Sequence, residues 1–150
     1  MNWQSYNLGA GNTLTYRFQD GAGNLPAGAS FATLNRIWQG SPSEIAGRIQ
    51  VQPGQNGQIT LINQNGILFK DGAQISVGSL TASSLNITDA LFLAGLQSNT
   101  DAGAVAAFLA DGAGGGLVRV DSGAELRTTS GGRVMLLGEN VENHGLIETP

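Results

Sequence analysis

Apolar residues in this chain come in bursts of about four to six positions, each closed by Gly, Asn or Asp. Gly57-Gln58-Ile59-Thr60-Leu61-Ile62-Asn63, Gly66-Ile67-Leu68-Phe69 and Gly72-Ala73-Gln74-Ile75-Ser76-Val77 follow one another directly. The pattern resumes in Leu117-Val118-Arg119-Val120, Ala124-Glu125-Leu126-Arg127, Arg133-Val134-Met135-Leu136-Leu137 and Gly145-Leu146-Ile147-Glu148. Within the bursts, Ile59/Leu61, Ala73/Ile75/Val77 and Val118/Val120 alternate with polar residues. That period of two predicts strands with one apolar face. Asn56-Gly57, Asn65-Gly66 and Asp71-Gly72 lie at the breaks, where turns tolerate positive φ.

Asn-Gly between strands suits a hairpin, so a meander folding into a Greek-key sandwich is the plain alternative. The short, repeated rhythm of strand, brief turn and strand favours another solution. Gly116-Leu117-Val118 and Gly145-Leu146-Ile147 share an opening 29 residues apart. A period of about 20–30 residues holding two or three short strands predicts a β-solenoid coil, about five to seven of them here. Inward residues would then stack on like positions about 4.8 Å above and below. Two segments break the rhythm. Ser41-Pro42-Ser43-Glu44-Ile45 predicts one helical turn, with Ser41 as N-cap, Pro42 at N1 and Glu44 closing a capping box. Residues 95–116, rich in Gly, Ala and Asp, predict an excursion from the coil, with Gly103 to Leu109 as a short helix or loop. The whole reads as one domain, 1–150.

Composition supports a turn-dense β protein: 23 of 150 residues are Gly and only 12% are charged. No Cys is present, which excludes disulfides, thiolate metal sites and thiol catalysis. The net charge of −4 is uneven, with residues 76–150 carrying eight Asp/Glu against three Lys/Arg. No basic footprint for nucleic acid exists. No apolar run approaches the roughly 20 residues that span a bilayer. Met1-Asn2-Trp3-Gln4 lacks the basic start and apolar stretch of a signal peptide, so the chain is cytoplasmic or an interior piece.

Several blocks, in order, resemble the N-terminal secretion domain of two-partner-secretion exoproteins, the filamentous-haemagglutinin-like or haemagglutination-activity domain. They are Asn2-Trp3-Gln4-Ser5-Tyr6-Asn7-Leu8-Gly9, then Leu34-Asn35-Arg36 with Gly40-Ser41-Pro42-Ser43-Glu44-Ile45-Ala46-Gly47-Arg48-Ile49. Residues 57–69, 72–87 and Val141-Glu142-Asn143-His144-Gly145-Leu146-Ile147 complete the series. The resemblance implies an all-β, right-handed, single-stranded parallel β-helix with short extra-helical loops. It also implies export through the periplasm of a Gram-negative bacterium to the cell surface or medium. The expected partner is a dedicated outer-membrane barrel transporter with periplasmic modules, and the domain would nucleate folding of an adhesin, haemolysin or contact-dependent toxin. A host-cell glycan or receptor is a further expected partner, while no enzyme activity, cofactor, metal or nucleic acid is implied.

The resemblance makes Asn63, Gln64, Asn65, Gly66 and Ile67 the candidate partner-binding motif, although Gln64 stands where the family's Asn-Pro-Asn-Gly turn has Pro, so the turn is less pre-set. The bland reading is that both Asn side chains hold a coil corner by bonding backbone. The family's signal peptide and first-coil capping strands are absent, and residues 19–30 predict a protruding loop. Trp38 is the best candidate for an exposed aromatic, whereas Trp3, Phe69 and Phe92 read as core or end-capping residues.

A carbohydrate-binding adhesin module or carbohydrate-active β-helix enzyme is the alternative. An enzyme would need clustered carboxylates with Arg or Lys. Asp111, Asp121, Glu125, Glu139 and Glu142 are scattered among turns with Arg119, Arg127 and Arg133; the last two could face the same side of adjacent coils, but nothing in the sequence fixes it. They read as solubilising charge. Gly112 to Gly116 lacks the spacing of a phosphate loop. His144 stands without Cys or an acidic cluster to make a metal site. Asn86-Ile87-Thr88 is a glycosylation sequon within a predicted strand and reads as incidental.

Overall fold

The computed structural model describes residues 1–94 and 115–150. Strands arrive in threes. The first set is β1 (Asn2–Trp3), β2 (Thr13–Tyr16) and β3 (Ser30–Ile37), and the second β4 (Ser43–Ile45), β5 (Arg48–Val51) and β6 (Asn56–Ile62). Then come β7 (Gly66–Phe69), β8 (Gln74–Val77) and β9 (Ser79–Ser83), followed by the helix α1 (Asp89–Ala94). The last strands are β10 (Leu117–Val120), β11 (Glu125–Thr128), β12 (Val134–Leu137), β13 (Asn140–Asn143) and β14 (Leu146–Glu148).

Strands that follow one another in sequence go to different sheets. The orders are β1-β3-β6-β9-β12, β4-β7-β10-β13 and β2-β5-β8-β11-β14, and every pairing is parallel. This is a parallel β-helix with three strands per coil, and it removes the hairpin alternative. Ile49 pairs with Ile75, 26 residues on, and Val120 with Asn143, 23 on. The 29-residue echo is not the coil period: Leu117 pairs with Asn140 in one sheet and Leu146 with Glu125 in another.

Alternation explains the core. In the third sheet, Leu14, Ile49, Ile75, Leu126 and Ile147 stand in one register column. In the second, Ile45, Phe69 and Val120 do the same, with Leu8 bridged to Ile45 in the first coil. In the first, Ile59 and Leu80 share a column, as do Leu61 and Ala82. All but the outermost members of these columns are fully buried. The first coil closes with larger side chains. Trp3 meets Tyr6 edge to face at 5.3 Å, and the buried Tyr6 and Tyr16 hydroxyls lie 3.0 Å apart.

Four local expectations are corrected. Ser43–Ile45 is strand β4 and not a helical turn, because Ser43, Glu44 and Ile45 pair with Ile67, Leu68 and Phe69. The parallel ladder outweighs a capping pattern whose helix has no second turn. Asn56-Gly57 lies inside β6; a Cβ on Gly57 would sit 2.7 Å from the Phe31 ring, so glycine serves close packing there. At Asn65-Gly66 only Gly66 takes positive φ, at 116°. Asn86 follows the end of β9 and is outside any strand. The predicted loop over residues 19–30 holds no strand before Ser30 and is largely exposed. Most of the excursion at 95–116, including Gly103 to Leu109, lies outside the described residues.

Two predictions follow from the core. Leu126→Ala removes the centre of a buried column and is expected to cost about 2–5 kcal/mol, against under about 0.5 kcal/mol for exposed Leu146→Ala, read by denaturant unfolding. Burial pushes the Tyr6 and Tyr16 phenols above their ordinary 10.0, and for Tyr6 the neighbouring phenol adds to the effect. The folded chain therefore keeps protons that the unfolded chain releases. Stability is expected to hold below pH about 10 and fall as pH rises beyond it. The double variant Tyr6→Phe/Tyr16→Phe removes every tyrosine and is expected to flatten that alkaline loss.

Candidate functional site

The corner after β6 is built around one side chain. Asn63 is wholly buried, yet every polar group on it is bonded. Its backbone N–H donates to the Ser83 carbonyl (3.0 Å) and its own carbonyl accepts from the Gly66 N–H (2.9 Å), which closes the turn. Its Oδ1 accepts from the Asn65 N–H at 2.9 Å, and its Nδ2 donates to the Ser41 carbonyl (3.1 Å) and Ser43 Oγ (3.0 Å). Side chain and backbone of this one residue together tie three successive coils. A buried amide left unpaired would cost what these bonds regain.

Asn65 is exposed, and its Nδ2 donates to the Gln39 carbonyl at 2.9 Å. Gln39 is a second hub. Its Oε1 accepts from the Tyr6 N–H at 2.7 Å, and its Nε2 donates to the Pro42 carbonyl (2.7 Å) and Asn7 Oδ1 (3.3 Å). Gly66 needs to be glycine twice over: φ is 116°, and a Cβ would lie 2.6 Å from the Leu117 carbonyl oxygen. Gly116 covers the turn from the next coil, and a Cβ there would lie 2.5 Å from both the Gln64 carbonyl oxygen and Asn65 C.

The candidate motif therefore divides. Asn63 and Ile67 are buried, Ile67 inside the core column beside Val118; Gln64 is half-buried and Asn65 exposed. Trp38 is 65% exposed and shares a shallow dimple with Gln64, Asn86 and Ile62. The structure thus brings Trp38 to the same corner as the turn. Sequence reasoning missed Gln39, Asn7 and Ser43, whose polar types look unremarkable until the coils are stacked. It also missed Arg36, which donates to Asp89 Oδ1 (2.5 Å), the Ile87 carbonyl (2.5 Å) and Asn86 Oδ1 (3.3 Å). That guanidinium pins residues 86–89, and with them α1, over the outer face of the first sheet. There Leu34, Ile62 and Ile87 form a small second apolar cluster with Leu91 and Phe92.

The remaining candidates stand apart from this corner. Phe69 is in the core, and Trp3 and Phe92 are half-buried. Arg127 bonds both Glu125 and Glu148 on the exposed third sheet, and these bonds raise its already high pKa, Glu125 contributing most. Asp121 meets Arg119 at 2.6 Å and Lys70 at 3.5 Å, and His144 meets Glu142 at 3.5 Å. Asp111 lies outside the described residues. Arg127 and Arg133 belong to one coil, since β11 leads directly to β12, and not to adjacent coils. Among the described residues no group of three His, Asp or Glu is placed to hold a metal ion.

Asn63→Ala strips partners from Ser43 and the Ser41 carbonyl inside the corner and is expected to cost about 2–3 kcal/mol. Asn65→Ala removes one exposed bond and is expected to cost under about 1 kcal/mol, both read from denaturant midpoints.

Comparison with known proteins then bears on this architecture. Over 87 residues, 58% of this chain, it is 26% identical to the heme/hemopexin-binding protein of Haemophilus influenzae. The match covers 8% of that protein, so the chain spans a small fraction of its relative's length. The family profile of the TPS secretion domain matches residues 1–150. A parallel β-helix matched from first residue to last in this way belongs to the TPS secretion domain family, the secretion domain of two-partner-secretion exoproteins.

Proposed function

We propose that this domain is the recognition and folding-nucleating module of a large exported protein, an adhesin, haemolysin or contact-dependent toxin. Its partner is a dedicated outer-membrane barrel transporter that engages it through periplasmic modules. The observation that carries the reading is the family match over the whole chain. The geometry supplies a physical route. A parallel coil exposes unpaired N–H and C=O groups along its last strands, so each folded coil templates the next. Folding that spreads by neighbour contact, beginning from a stable first piece, favours outward movement of the chain.

The corner at residues 63–67 is the contact surface in this reading. Buried Asn63 and Ile67 shape it, while half-buried Gln64 and exposed Asn65 form its rim and Trp38 offers an apolar anchor beside them. A few such residues, an aromatic among them, commonly carry most of an interface's energy. The relative's name describes heme and hemopexin binding for that protein. This chain matches only a small part of it, so cargo chemistry is left to the rest of each exoprotein.

The test is binding of the folded chain to the soluble periplasmic modules of the transporter encoded beside its parent gene. Micromolar or tighter binding is expected, weakened about tenfold or more in Trp38→Ala and in Gln64→Ala/Asn65→Ala, both of which should stay folded at the temperature of the binding measurement even though the second gives up the bond from Asn65 to Gln39. Absence of binding by the folded wild-type chain would overturn the reading.

A further inference from the structure

The corner at Asn63 controls a covalent reaction as well as a shape. Asn65 is exposed, and the residue after it is Gly66. An Asn side-chain amide is open to attack by the backbone nitrogen of the next residue, and a glycine there has no Cβ to obstruct the approach. The Gly66 nitrogen gives up its proton and attacks Asn65 Cγ. The bond from Cγ to Nδ2 breaks, and ammonia leaves carrying that proton. Water opens the resulting cyclic imide at either carbonyl, which leaves an aspartyl or isoaspartyl residue at position 65. Water is the one co-reactant, and nothing is oxidised or reduced.

Exposure alone would leave Asn65 open to this chemistry, but its bonds close it off. Gly66 is buried, and its N–H donates to the Asn63 carbonyl at 2.9 Å, so the nucleophile is shielded and tied. Asn65 Nδ2 donates to the Gln39 carbonyl at 2.9 Å and the Asn65 N–H to Asn63 Oδ1 at 2.9 Å, which fixes the electrophile. Gly116 packs over the same backbone, where even a Cβ would lie 2.5 Å from Asn65 C. These contacts must open together before the nitrogen reaches Cγ. The other Asn-Gly pair is held differently. Asn56 is exposed but lies in β6, its N–H on the Ala29 carbonyl at 2.8 Å and the Gly57 carbonyl accepting from the Gly78 N–H at 2.9 Å. Freeing Asn56 means parting the first sheet, whereas freeing Asn65 means opening one corner.

The same contacts decide what the product can do. An isoaspartyl link routes the main chain through the former side chain and lengthens it by a methylene. The turn closes between Asn63 and Gly66, and β7 enters its ladder at once, with Gly66 beside Leu117 and Ile67 beside Ser43. That side has no slack for an added atom, and Gly116 leaves no room on the other. We propose that Asn65 is a deamidation site gated by folding: the closed corner blocks the reaction, the unfolded chain undergoes it, and the isoaspartyl product does not rebuild the corner. The corner thereby limits how long the chain can stay unfolded and still reach this structure. The proposal stands apart from transporter recognition, and its test uses no partner.

The experiment incubates the full chain at mildly alkaline pH in native buffer and in guanidinium chloride. Digestion, mass mapping and labelling by an isoaspartyl methyltransferase then measure conversion at Asn65 and Asn56 separately. Both positions are expected to convert in denaturant, and Asn65 about tenfold or more slowly in native buffer, where it reacts only through opening. Asn63→Ala, held at a temperature where circular dichroism shows it folded, removes the bond that Asn65 N–H makes to Asn63 Oδ1. It is expected to speed native-buffer conversion at Asn65 and leave Asn56 unchanged. When the denatured, partly converted sample is diluted into native buffer, the fraction that becomes protease-resistant should be depleted in isoaspartyl at position 65. Equal rates at Asn65 in the two buffers, no acceleration in Asn63→Ala, equal acceleration at Asn56, or a refolded fraction as rich in isoaspartyl as the whole would each overturn the proposal.

Discussion

Parallel stacking in strict register is the constraint from which everything else follows. Once Ile49 is placed above Leu14 and below Ile75, every neighbour in those coils has its face decided. A slip of one residue would turn Gln50 and Ser76 inward and Ile49 and Ile75 outward, at the cost of the whole column. The apolar columns of the three sheets supply that penalty together, so they fix the register of loops that carry no apolar residue themselves. The corner at Asn63 is one such loop, and its position is inherited from the columns on either side.

Polar groups in the corners then do what the columns cannot. Apolar stacking sets height but tolerates small shifts in the path between sheets. Asn63 and Gln39 remove that freedom, because their amides meet partners on the preceding coil and in their own corners and would be costly to bury unpaired. A site on this fold is therefore held from inside by buried amides and read from outside by their exposed neighbours.

Much of this was written in the local pattern. The alternation at Ile59/Leu61 and Val118/Val120 gave the inward faces, and the glycine of Asn65-Gly66 marked the turn. The residues that misled did so for a common reason: their local signal was genuine but tertiary pairing set the outcome. Ser41-Pro42-Ser43-Glu44 has the chemistry of a helix start, yet its third and fourth residues bond into a ladder with Ile67 and Leu68. Gly57 looked like a turn and is a packing gap for Phe31. Gln39 and Arg36 were invisible because their roles depend on which residues the coil carries past them, and no local spacing encodes that.

The register between β7 and β10 has one more implication. Phe69 sits directly beneath Val120, 51 residues later, with the spiral unbroken on either side. Gly116 seats the returning strand against the Gln64–Asn65 backbone. Because the departure at β9 and the return at β10 are fixed by their own ladders, the length of chain between them adds only a slowly growing closure entropy. The spiral therefore keeps one pitch on both sides of the chain that joins β9 to β10, because each side is held by its own ladder.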